Sequence, residues 1–268
     1  MRSHHSATLV GLALALSACR TGINYPELAG PRFIGATPSP AADTSAPLRI
    51  VSFNIKYAQR VDSAISVLTQ ETALRDADII LLQEMDETGT KQIADTLGMS
   101  FVYYPATFHL KHQKHFGNAV LSRWPIVADE KLVLPHIARF TRTQRIATAA
   151  TVRVRDALVR VYSTHLGTPA DVGPGARREQ LSKILEDATR YERVVIGGDF
   201  NNHGVGKVAR ASGYAWPTEK GPRTVLVGRF DHIVFKGLVT PDSAAAGTVV
   251  NVRHASDHRP VWAVGVLK

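Results

Sequence analysis

Short apolar runs rich in valine and isoleucine recur along the chain from Leu48 onward. Runs of this length, separated by polar or glycine-containing stretches, are typical of buried β-strands. The pattern predicts strands at Leu48–Ile55, Asp78–Leu82, Ala119–Leu121, Thr148–Val154, Leu158–Ser163, Val194–Ile196, His232–Phe235 and Val261–Val266.

Two stretches instead place apolar residues three or four positions apart, which is the spacing of an amphipathic helix. They predict helices at Asp62–Leu74 and Gly175–Tyr191, the second with Pro174 near its start. Several strands follow one another without a helix between residues 119 and 163, which argues against a simple doubly wound sheet. Two packed sheets with helices outside them fit this order better.

The first nineteen residues, MRSHHSATLVGLALALSAC, have the pattern of an export signal. Arg2 is followed by an apolar run, Thr8 to Leu16, that is too short to span a bilayer as a helix. The last four residues resemble the bacterial lipobox, which implies cleavage before Cys19 and lipidation of that cysteine. We therefore expect an exported protein, anchored to a membrane of the cell envelope. The alternative is an ordinary secretory signal with a chance cysteine.

Residues 20–47 show neither strand nor helix periodicity, and Pro38, Pro40 and Pro47 oppose a helix. The stretch predicts a flexible tether between the lipid anchor and the rest of the protein. No second linker occurs in residues 48–268, which predict one domain.

The net charge of +9 favours anionic partners such as nucleic acid, acidic lipid or phosphorylated small molecules. The alternative is that the excess positive charge serves only to keep the protein soluble. The single cysteine excludes a disulfide framework and a cysteine-based zinc site within one chain. The sequence also lacks HExxH, GxSxG and Walker A motifs, which removes the enzyme classes that depend on them.

Side chains that can bind a metal or move a proton stand at the ends of the predicted strands. A single polar residue at a strand end has a plain structural explanation, but many with this chemistry predict a shared site at one edge of a sheet. The residues are Asn54, Gln83, Glu84, His165, Asp199, Asn201, Asp231, His232, Asp257 and His258.

The segments that carry these residues are SFNIKY, LLQEM, GNAVLSRWPI, STHL, GGDFNN, FDHIVF and SDHRPVW. In this order they resemble the endonuclease–exonuclease–phosphatase superfamily, the fold of deoxyribonuclease I, from Leu48 to Trp262. The resemblance implies a four-layer α/β/β/α sandwich with its catalytic domain in residues 48–268. It also implies a metal-dependent phosphoesterase that hydrolyses phosphodiester or phosphomonoester bonds.

Phosphoester hydrolysis concentrates negative charge, which a Mg²⁺ or Mn²⁺ ion offsets. Hard cations prefer oxygen ligands and Mg²⁺ retains several waters, so few carboxylates suffice. Glu84 is the first candidate ligand, Asn54 supplies an amide oxygen, and Asp257 completes or shares the sphere. A helix cap or a surface ion pair is the structural alternative for Glu84.

His258 is the expected general base, since imidazole titrates near neutral pH. The resemblance assigns the carboxylate that orients it to Asp231, and His165 can donate to a phosphoryl or leaving oxygen. Asp199 can orient the attacking water or protonate the leaving oxygen, and Asn201 can donate to phosphoryl oxygens. Whether Asp199 or His258 takes the proton of the water is open at this point.

Other polar residues point to the substrate phosphate. The resemblance implies a phosphate contact for Asn118, and Arg145 is either a second contact or a surface arginine. His109, His112 and His115 recur every three residues with lysines between them. They predict a basic loop beside the site, with a second metal site or solvated residues without a role as alternatives.

Among substrates, the charge favours nucleic acid, so a nuclease is the first hypothesis. A phospholipid-headgroup, sphingomyelin or inositol-phosphate phosphoesterase is the alternative, which the expected membrane anchor favours. Enzymes of the deoxyribonuclease I type carry an arginine shortly after the metal-binding glutamate, whereas Met85, Asp86 and Glu87 stand here. This departure counts against a reader of the duplex minor groove. A catalytically inactive binding module is a third hypothesis, and no obligate protein partner is evident.

Overall fold

The computed structural model describes residues 21–36, 47–242 and 245–268. The predicted signal segment and the lipidation site Cys19 lie outside the described residues. In the part of the chain that is described, no helix is long and apolar enough to cross a membrane.

A large β-sheet contains most of the N-terminal half and the C-terminal strand. Its strands are β1 (Gly22–Asn24), β2 (Phe33–Gly35), β3 (Leu48–Asn54), β4 (Ile79–Met85), β5 (Ser100–His109), β6 (Lys114–Ser122), β12 (Leu238–Val239), β13 (Ala246–Thr248) and β14 (Val261–Leu267). The order is β1-β5-β6-β4-β3-β14-β12, with β2 also paired to β5 and β13 to β14. β3 and β4 are parallel, and β14 is antiparallel to β3.

The second sheet packs against the first. Its strands are β7 (Ile126–Val133), β8 (Ile146–Val154), β9 (Ala157–His165), β10 (Val194–Asp199) and β11 (Asp231–Lys236). They lie in the order β11-β10-β9-β8-β7, with β9 and β10 parallel and β11 antiparallel to β10. The helices are α1 (Val61–Gln70), α2 (Glu87–Leu97), α3 (Pro174–Ala188), α4 (Gly206–Ala211) and the 3₁₀ turns His203–Val205 and Pro217–Glu219.

Alternation along the strands produces three apolar layers. Ile50 and Ile79 point into the layer between the two sheets, whereas their neighbours Val51 and Ile80 face α1 and α2. A third layer lies between the second sheet and α3, where Leu181 and its neighbours pack on the strands. Successive strand side chains point to opposite faces, so a strand buried on both faces reads as a continuous apolar run. The α/β/β/α sandwich predicted from the sequence is confirmed.

Each strand predicted from an apolar run is present, with ends that differ by a few residues. Both predicted helices are also present, and the first ends at Gln70 rather than Leu74. The patterns missed β5 and β7, the short elements α4, β12 and β13, and the helix α2. The last has few apolar residues and is delimited by its caps: the Asp86 carboxylate accepts from the Gly89 N–H at 2.7 Å, and Gly98 ends the helix in the left-handed conformation.

The tether predicted over residues 20–47 is wrong for residues 21–36, which form β1 and β2 on the edge of the first sheet. The buried Lys131 also holds this segment, since its Nζ donates to the carbonyl oxygens of Tyr25 at 3.0 Å and Gly30 at 2.7 Å. These backbone partners belong to distant parts of the chain, so local composition does not reveal them. Residues 37–46 of the predicted tether lie outside the described residues.

Candidate active site

Strand register brings three predicted catalytic residues together in the second sheet. Asp199 at the end of β10 lies opposite His165 at the end of β9 and opposite Asp231 at the start of β11. All three are buried. Parallel strands end at the same edge of a sheet, and the antiparallel β11 begins there. The edge therefore carries the cluster that the strand-end residues predicted.

Gly198 makes this close approach possible. A Cβ at this position would lie 1.8 Å from the carbonyl oxygen of Thr164, the residue opposite it on β9, and its φ of +152° disfavours other residues. The glycine therefore sets the spacing of the strand ends that carry Asp199 and His165.

The first sheet supplies Asn54 and Glu84 at the ends of its parallel strands β3 and β4. The pairing of β4 with β6 shifts between Leu82 and Met85, and Glu84 has a left-handed φ of 57°. Such a bulge turns a side chain away from the direction that regular strand alternation would give it. As a result, Asn54 Nδ2 lies 3.2 Å from Glu84 Oε1 and 3.3 Å from Asp199 Oδ2, which joins the two sheets at the site.

Glu84 is held by several donors. The Tyr57 N–H donates to Glu84 Oε2 at 3.1 Å, while Asn54 holds the other oxygen. Burial raises the pKa of the Glu84 carboxyl above its ordinary value, although Asn54, His258 and Arg145 act in the opposite direction. A cation bound beside Glu84 would stabilise the charged form of this carboxylate.

His258 and Asp231 form a buried pair. His258 Nδ1 lies 2.9 Å and 3.1 Å from the two oxygens of Asp231, and its Nε2 lies 3.7 Å from Asp199 Oδ2. Burial alone would lower the pKa of His258, but Asp231 and the other nearby carboxylates outweigh burial and raise it to about 10. The imidazole is therefore a cation at neutral pH, with Nε2–H turned toward the site.

Asp199 occupies the centre of the cluster. Its Oδ2 also lies 3.4 Å from His165 Nε2. Burial raises the pKa of Asp199 to about 7, a shift that the cationic His258 opposes and that Asp231 and Glu84 reinforce. The carboxylates of Asp199 and Asp231 lie close to the cationic His258, and their charges shift one another's pKa values. This part of the site is therefore able to hold and release a proton near neutral pH.

Two buried nitrogen atoms in the site lack a hydrogen-bond partner among the described residues, although one of them, His165 Nδ1, lies 3.8 Å from Glu84 Oε1. Arg145 Nε and His165 Nδ1 make no hydrogen bond. Burial lowers the pKa of both side chains, that of His165 well below its ordinary value. Arg145 is 8% exposed, so the alternative of a surface arginine is wrong. Buried donors are normally satisfied, and this unpaired cation beside a histidine is suited to an anion.

The other predicted residues lie in or near the cluster with different bonds. Asn118 is buried and its Nδ2 donates to the Ile146 carbonyl at 3.0 Å. Asn201 Nδ2 donates to the Leu166 carbonyl at 2.9 Å, and its N–H donates to Asp199 Oδ1 at 2.8 Å. One amide hydrogen of each remains for a ligand. Asp257 is 58% exposed and pairs with Lys56 Nζ at 3.1 Å, so the structure does not bring it into the cluster.

Two sets of side chains offer ligands to a divalent cation. Asp199, Asp231 and His258 place one ligand atom each within 4.8 Å of one another. In that set, however, His258 and Asp231 already neutralise each other. Glu84 and Asp199 offer carboxylate oxygen atoms and an excess of negative charge, which is the donor set that a hard cation prefers. Asn54 turns its Nδ2 toward both carboxylates, and its Oδ1 accepts from the Lys56 N–H at 3.0 Å. The residues present thus fit a divalent cation.

The three regularly spaced histidines do not converge. His115 Nδ1 pairs with Glu87 Oε2 at 2.8 Å, whereas His109 and His112 pack with Tyr57. His115 lies on β6 opposite Phe108, whereas His109 ends β5 and His112 lies in the turn between the strands. No cluster of metal ligands forms from the three within the described ranges. The second metal site is therefore not supported.

His232, at the end of a predicted strand, is structural. Trp216 Nε1 donates to its Nδ1 at 3.3 Å, and its Nε2 donates to the Arg229 carbonyl at 3.1 Å. These bonds fix a neutral tautomer, and burial lowers the pKa of His232 to about 4.

This shift predicts a loss of stability in mild acid. The unfolded chain takes up a proton at about pH 6.5, whereas folded His232 resists it down to about 4, so the unfolded state binds more protons between these values. The free energy of unfolding should fall by about 1.4 kcal/mol per pH unit in this window. Chemical denaturation at several pH values should show a shallower slope in His232→Gln. Equal slopes would contradict the assignment.

The sequence patterns missed two contributors to the site. Tyr57 acts on Glu84 through its backbone N–H, and a backbone donor leaves no signal in residue type. Phe116 lies beneath the Arg145 guanidinium, 5.9 Å from its ring centroid, and 6.0 Å from the His165 ring. Its place beside the GNAVLS segment was the only available signal.

Solved structures share this fold at low sequence identity. An endonuclease/exonuclease/phosphatase from Bacteroides vulgatus is 16% identical with a TM-score of 0.65, covering 84% of this chain and 100% of that chain. The human Nocturnin catalytic domain with a bound sulfate anion is 17% identical with a TM-score of 0.62, covering 88% and 98%. D. rerio TDP2 complexed with a single strand DNA product is 15% identical with a TM-score of 0.62, covering 82% and 99%.

At these identities the structural similarity establishes the fold. Comparison with curated proteins found no match. Residues 51–258, from β3 through His258, match the Endonuclease/Exonuclease/phosphatase family. This range contains the second sheet, most of the first sheet and the whole cluster of candidate residues, and it is well over half of the chain, so the protein belongs to the endonuclease/exonuclease/phosphatase family.

Proposed function

We propose that the protein is a divalent-metal-dependent phosphodiesterase that acts on nucleic acid. The observation that carries this proposal is the position of Arg145 and His165, two buried and unsatisfied nitrogen groups, beside the carboxylates Glu84 and Asp199. A phosphoryl group satisfies the first pair, and a cation held by the second pair offsets its charge. The family match supports phosphoester chemistry in general.

Glu84 would hold a Mg²⁺ or Mn²⁺ ion, with Asp199 next to it, and Asn54 would contribute its Oδ1 only after its amide group rotates away from Lys56. The ion supplies charge neutralisation and polarisation of the phosphoryl group. Arg145 then binds a phosphoryl oxygen and compensates charge that develops on it. Neutral His165 and the free amide hydrogens of Asn118 and Asn201 supply further donors to the same group.

The proton positions favour a division of roles between Asp199 and His258. Asp199, with its pKa raised to about 7, accepts the proton of the attacking water. His258, held as a cation by Asp231, donates its Nε2 proton to the leaving oxygen. Burial raises the pKa of Asp199, and the neighbouring carboxylates raise that of His258. A group that accepts a proton near neutral pH then lies beside one that still carries a proton to donate, so the two can serve as base and acid in one reaction.

The test is hydrolysis by purified protein lacking residues 1–19, with Mg²⁺, Mn²⁺ or EDTA. The panel holds plasmid DNA, single-stranded DNA, RNA, sphingomyelin, a phosphoinositide and bis-p-nitrophenyl phosphate. We expect metal-dependent cleavage of nucleic acid, with affinity that falls steeply as salt rises. Turnover of lipid or inositol phosphate without cleavage of nucleic acid would contradict the proposed substrate. No turnover of any substrate would favour a binding module.

Arg145→Ala should lower kcat/KM for the cleaved substrate by about 10- to 100-fold, because a charge-assisted hydrogen bond to phosphate is lost. The fold should tolerate the change, since Arg145 Nε has no protein partner to leave behind. Steady-state kinetics and thermal unfolding measure the two effects together. A variant with unchanged kcat/KM and a lower melting temperature would show a structural arginine instead.

A lipid substrate is the second candidate, and one observation favours it. Leu226 and Val227, in a turn shortly before β11, are 89% and 75% exposed. Exposed apolar residues flanked by cations suit a membrane surface, and Arg223 and Arg229 lie on either side of this turn. Replacement of both apolar residues by serine should reduce vesicle hydrolysis selectively if lipid is the substrate.

We also propose that the protein is exported and lipidated at Cys19. The support is the signal pattern of residues 1–19 with its single cysteine. Mass spectrometry of the membrane fraction should find an N-terminal peptide that begins with modified Cys19. A soluble product cleaved elsewhere would overturn the anchor.

A further inference from the structure

Four half-buried aromatic rings form a continuous group at the mouth of the site, here called the ring cluster: Tyr57, His109, His112 and Phe116. The Tyr57 ring lies 5.2 Å from Phe116 and 4.4 Å from His112, the latter with an interplanar angle of 32°. His109 lies 4.6 Å from His112. The catalytic and phosphate-binding roles proposed above use none of these rings.

The ring cluster begins where the phosphate is expected. Phe116 contacts both unsatisfied groups of the site, at 6.0 Å from the His165 ring and 5.9 Å from the Arg145 guanidinium. Tyr57 is attached to the site through its N–H bond to Glu84. From these points the rings lead outward to His109 and His112, next to the exposed residues of the β5–β6 turn.

A lysine between the two segments that carry the rings holds the ring cluster in place. Lys114 Nζ lies 2.8 Å from Asp86 Oδ2 and 3.4 Å from the Ala58 carbonyl, so it ties the β5–β6 hairpin to the turn that carries Tyr57. That turn has left-handed φ values of 41°, 55° and 47° at Lys56, Tyr57 and Ala58. Consecutive residues in this conformation are strained, and such strain persists where the surroundings impose it.

Both outer imidazoles are uncharged at neutral pH. Burial lowers the pKa of His109 and of His112, and the neighbouring lysines act in the same direction. The backbone N–H of His112 donates to His109 Nδ1 at 3.4 Å, so the His109 ring accepts a hydrogen bond at Nδ1. The ring cluster therefore offers uncharged planar faces inside a frame of positive charge from Lys111 and Arg145, whereas Lys114 is paired with Asp86.

We propose that the ring cluster is a stacking subsite for an unpaired nucleobase adjacent to the scissile phosphate. Neutral aromatic and histidine rings stack on bases, and nearby cations follow the phosphate backbone. The same frame of positive charge opposes a cationic choline headgroup, which otherwise also binds to aromatic rings. The inference rests on the proposed function and narrows its substrate to single-stranded or unpaired nucleic acid.

The test compares a short oligothymidylate with an abasic phosphodiester chain of the same length. We expect the wild-type protein to prefer the base-bearing strand. His112→Ala and Tyr57→Ala should lower kcat/KM for it by about 5- to 100-fold more than for the abasic chain, mainly through KM. Tyr57→Phe keeps the ring and should retain the preference. Tyr191→Leu is the matched control, since this half-buried tyrosine lies next to the opposite end of β10.

Equal losses on the two strands would overturn the subsite, as would a larger loss on glycerophosphocholine than on the oligonucleotide. Binding of a 2-aminopurine oligonucleotide in EDTA provides a readout that needs no turnover. Quenching that weakens in His112→Ala supports stacking even if no substrate is hydrolysed, in which case only the proposed activity fails. Hydrolysis of nucleic acid without any quenching keeps the activity and rejects the subsite.

Discussion

Replacing His258 with glutamine is expected to lower kcat for phosphodiester hydrolysis by about a thousandfold, the typical contribution of a positioned acid or base. His258 is held by both oxygens of Asp231 and presents Nε2 to the cluster. Because it is a cation at neutral pH, its removal also takes away the nearest positive charge from Asp199. Single-turnover rates with the metal-loaded protein measure the loss.

The pH profile decides which residue is the base. If Asp199 accepts the proton and His258 donates one, wild-type activity falls in acid as Asp199 becomes protonated and falls in alkali as His258 loses its proton. A bound cation should move the acid limb below the pH of about 7 expected for metal-free Asp199. In His258→Gln the alkaline fall should disappear and the acid limb should move to higher pH, because the cation that lowers the pKa of Asp199 is gone.

Asp231→Asn is the matched variant for this profile. The imidazole loses the carboxylate that raises its pKa, so the alkaline limb should move to lower pH. The acid limb should also move to lower pH, because Asp231 raises the pKa of Asp199. If His258→Gln instead abolished the acid limb, His258 would be the base and the assignment to Asp199 would be wrong.

Replacing Glu84 with glutamine is expected to lower metal-dependent activity by about a thousandfold or more, because the cation supplies several kcal/mol of charge stabilisation in this chemistry. Glutamine has nearly the same shape but keeps an oxygen for only one of the donors Asn54 and Tyr57, so the change removes the charge and one hydrogen bond. Titration calorimetry with Mg²⁺ and Mn²⁺ should show strongly weakened binding.

Stability without metal should change in the opposite direction. Burial disfavours the charged Glu84 carboxylate, so neutral glutamine should raise the melting temperature of the metal-free protein. In wild type, added metal should raise the melting temperature, and Glu84→Gln should lose this response. Activity and metal-induced stabilisation that survive in Glu84→Gln would place the cation at the Asp231–His258 set instead.

The fold could be predicted where the signal is local. The apolar runs around Ile50 and Ile79 report burial on both strand faces, and helical spacing reports the buried side of α3. The sequence did not predict elements that are held by distant partners rather than by their own apolar pattern. The N-terminal strands β1 and β2 exist because β5 and Lys131 bind their backbone, and neither partner is close in sequence.

The candidate site could be predicted as a set of residues but not as an arrangement. Strand-end chemistry singled out Asn54, Glu84, His165, Asp199, Asp231 and His258, which the structure places at one edge of the two sheets. Asp257 belongs to the same motif as His258, yet its side chain turns to solvent and Lys56. Adjacency in sequence does not determine direction, because neighbouring side chains of an irregular loop point different ways.

By itself, then, the sequence determined the layered architecture, the order of the motifs and the reactive groups, because burial and residue type act over a few neighbouring positions. Only the tertiary structure decided how Asn54 meets Asp199, that Arg145 is buried without a partner at Nε, and that four rings extend from His165. These features depend on the register and packing of strands far apart in the chain. Packing between distant segments determines these features, and a pattern over a few neighbouring residues does not contain that information.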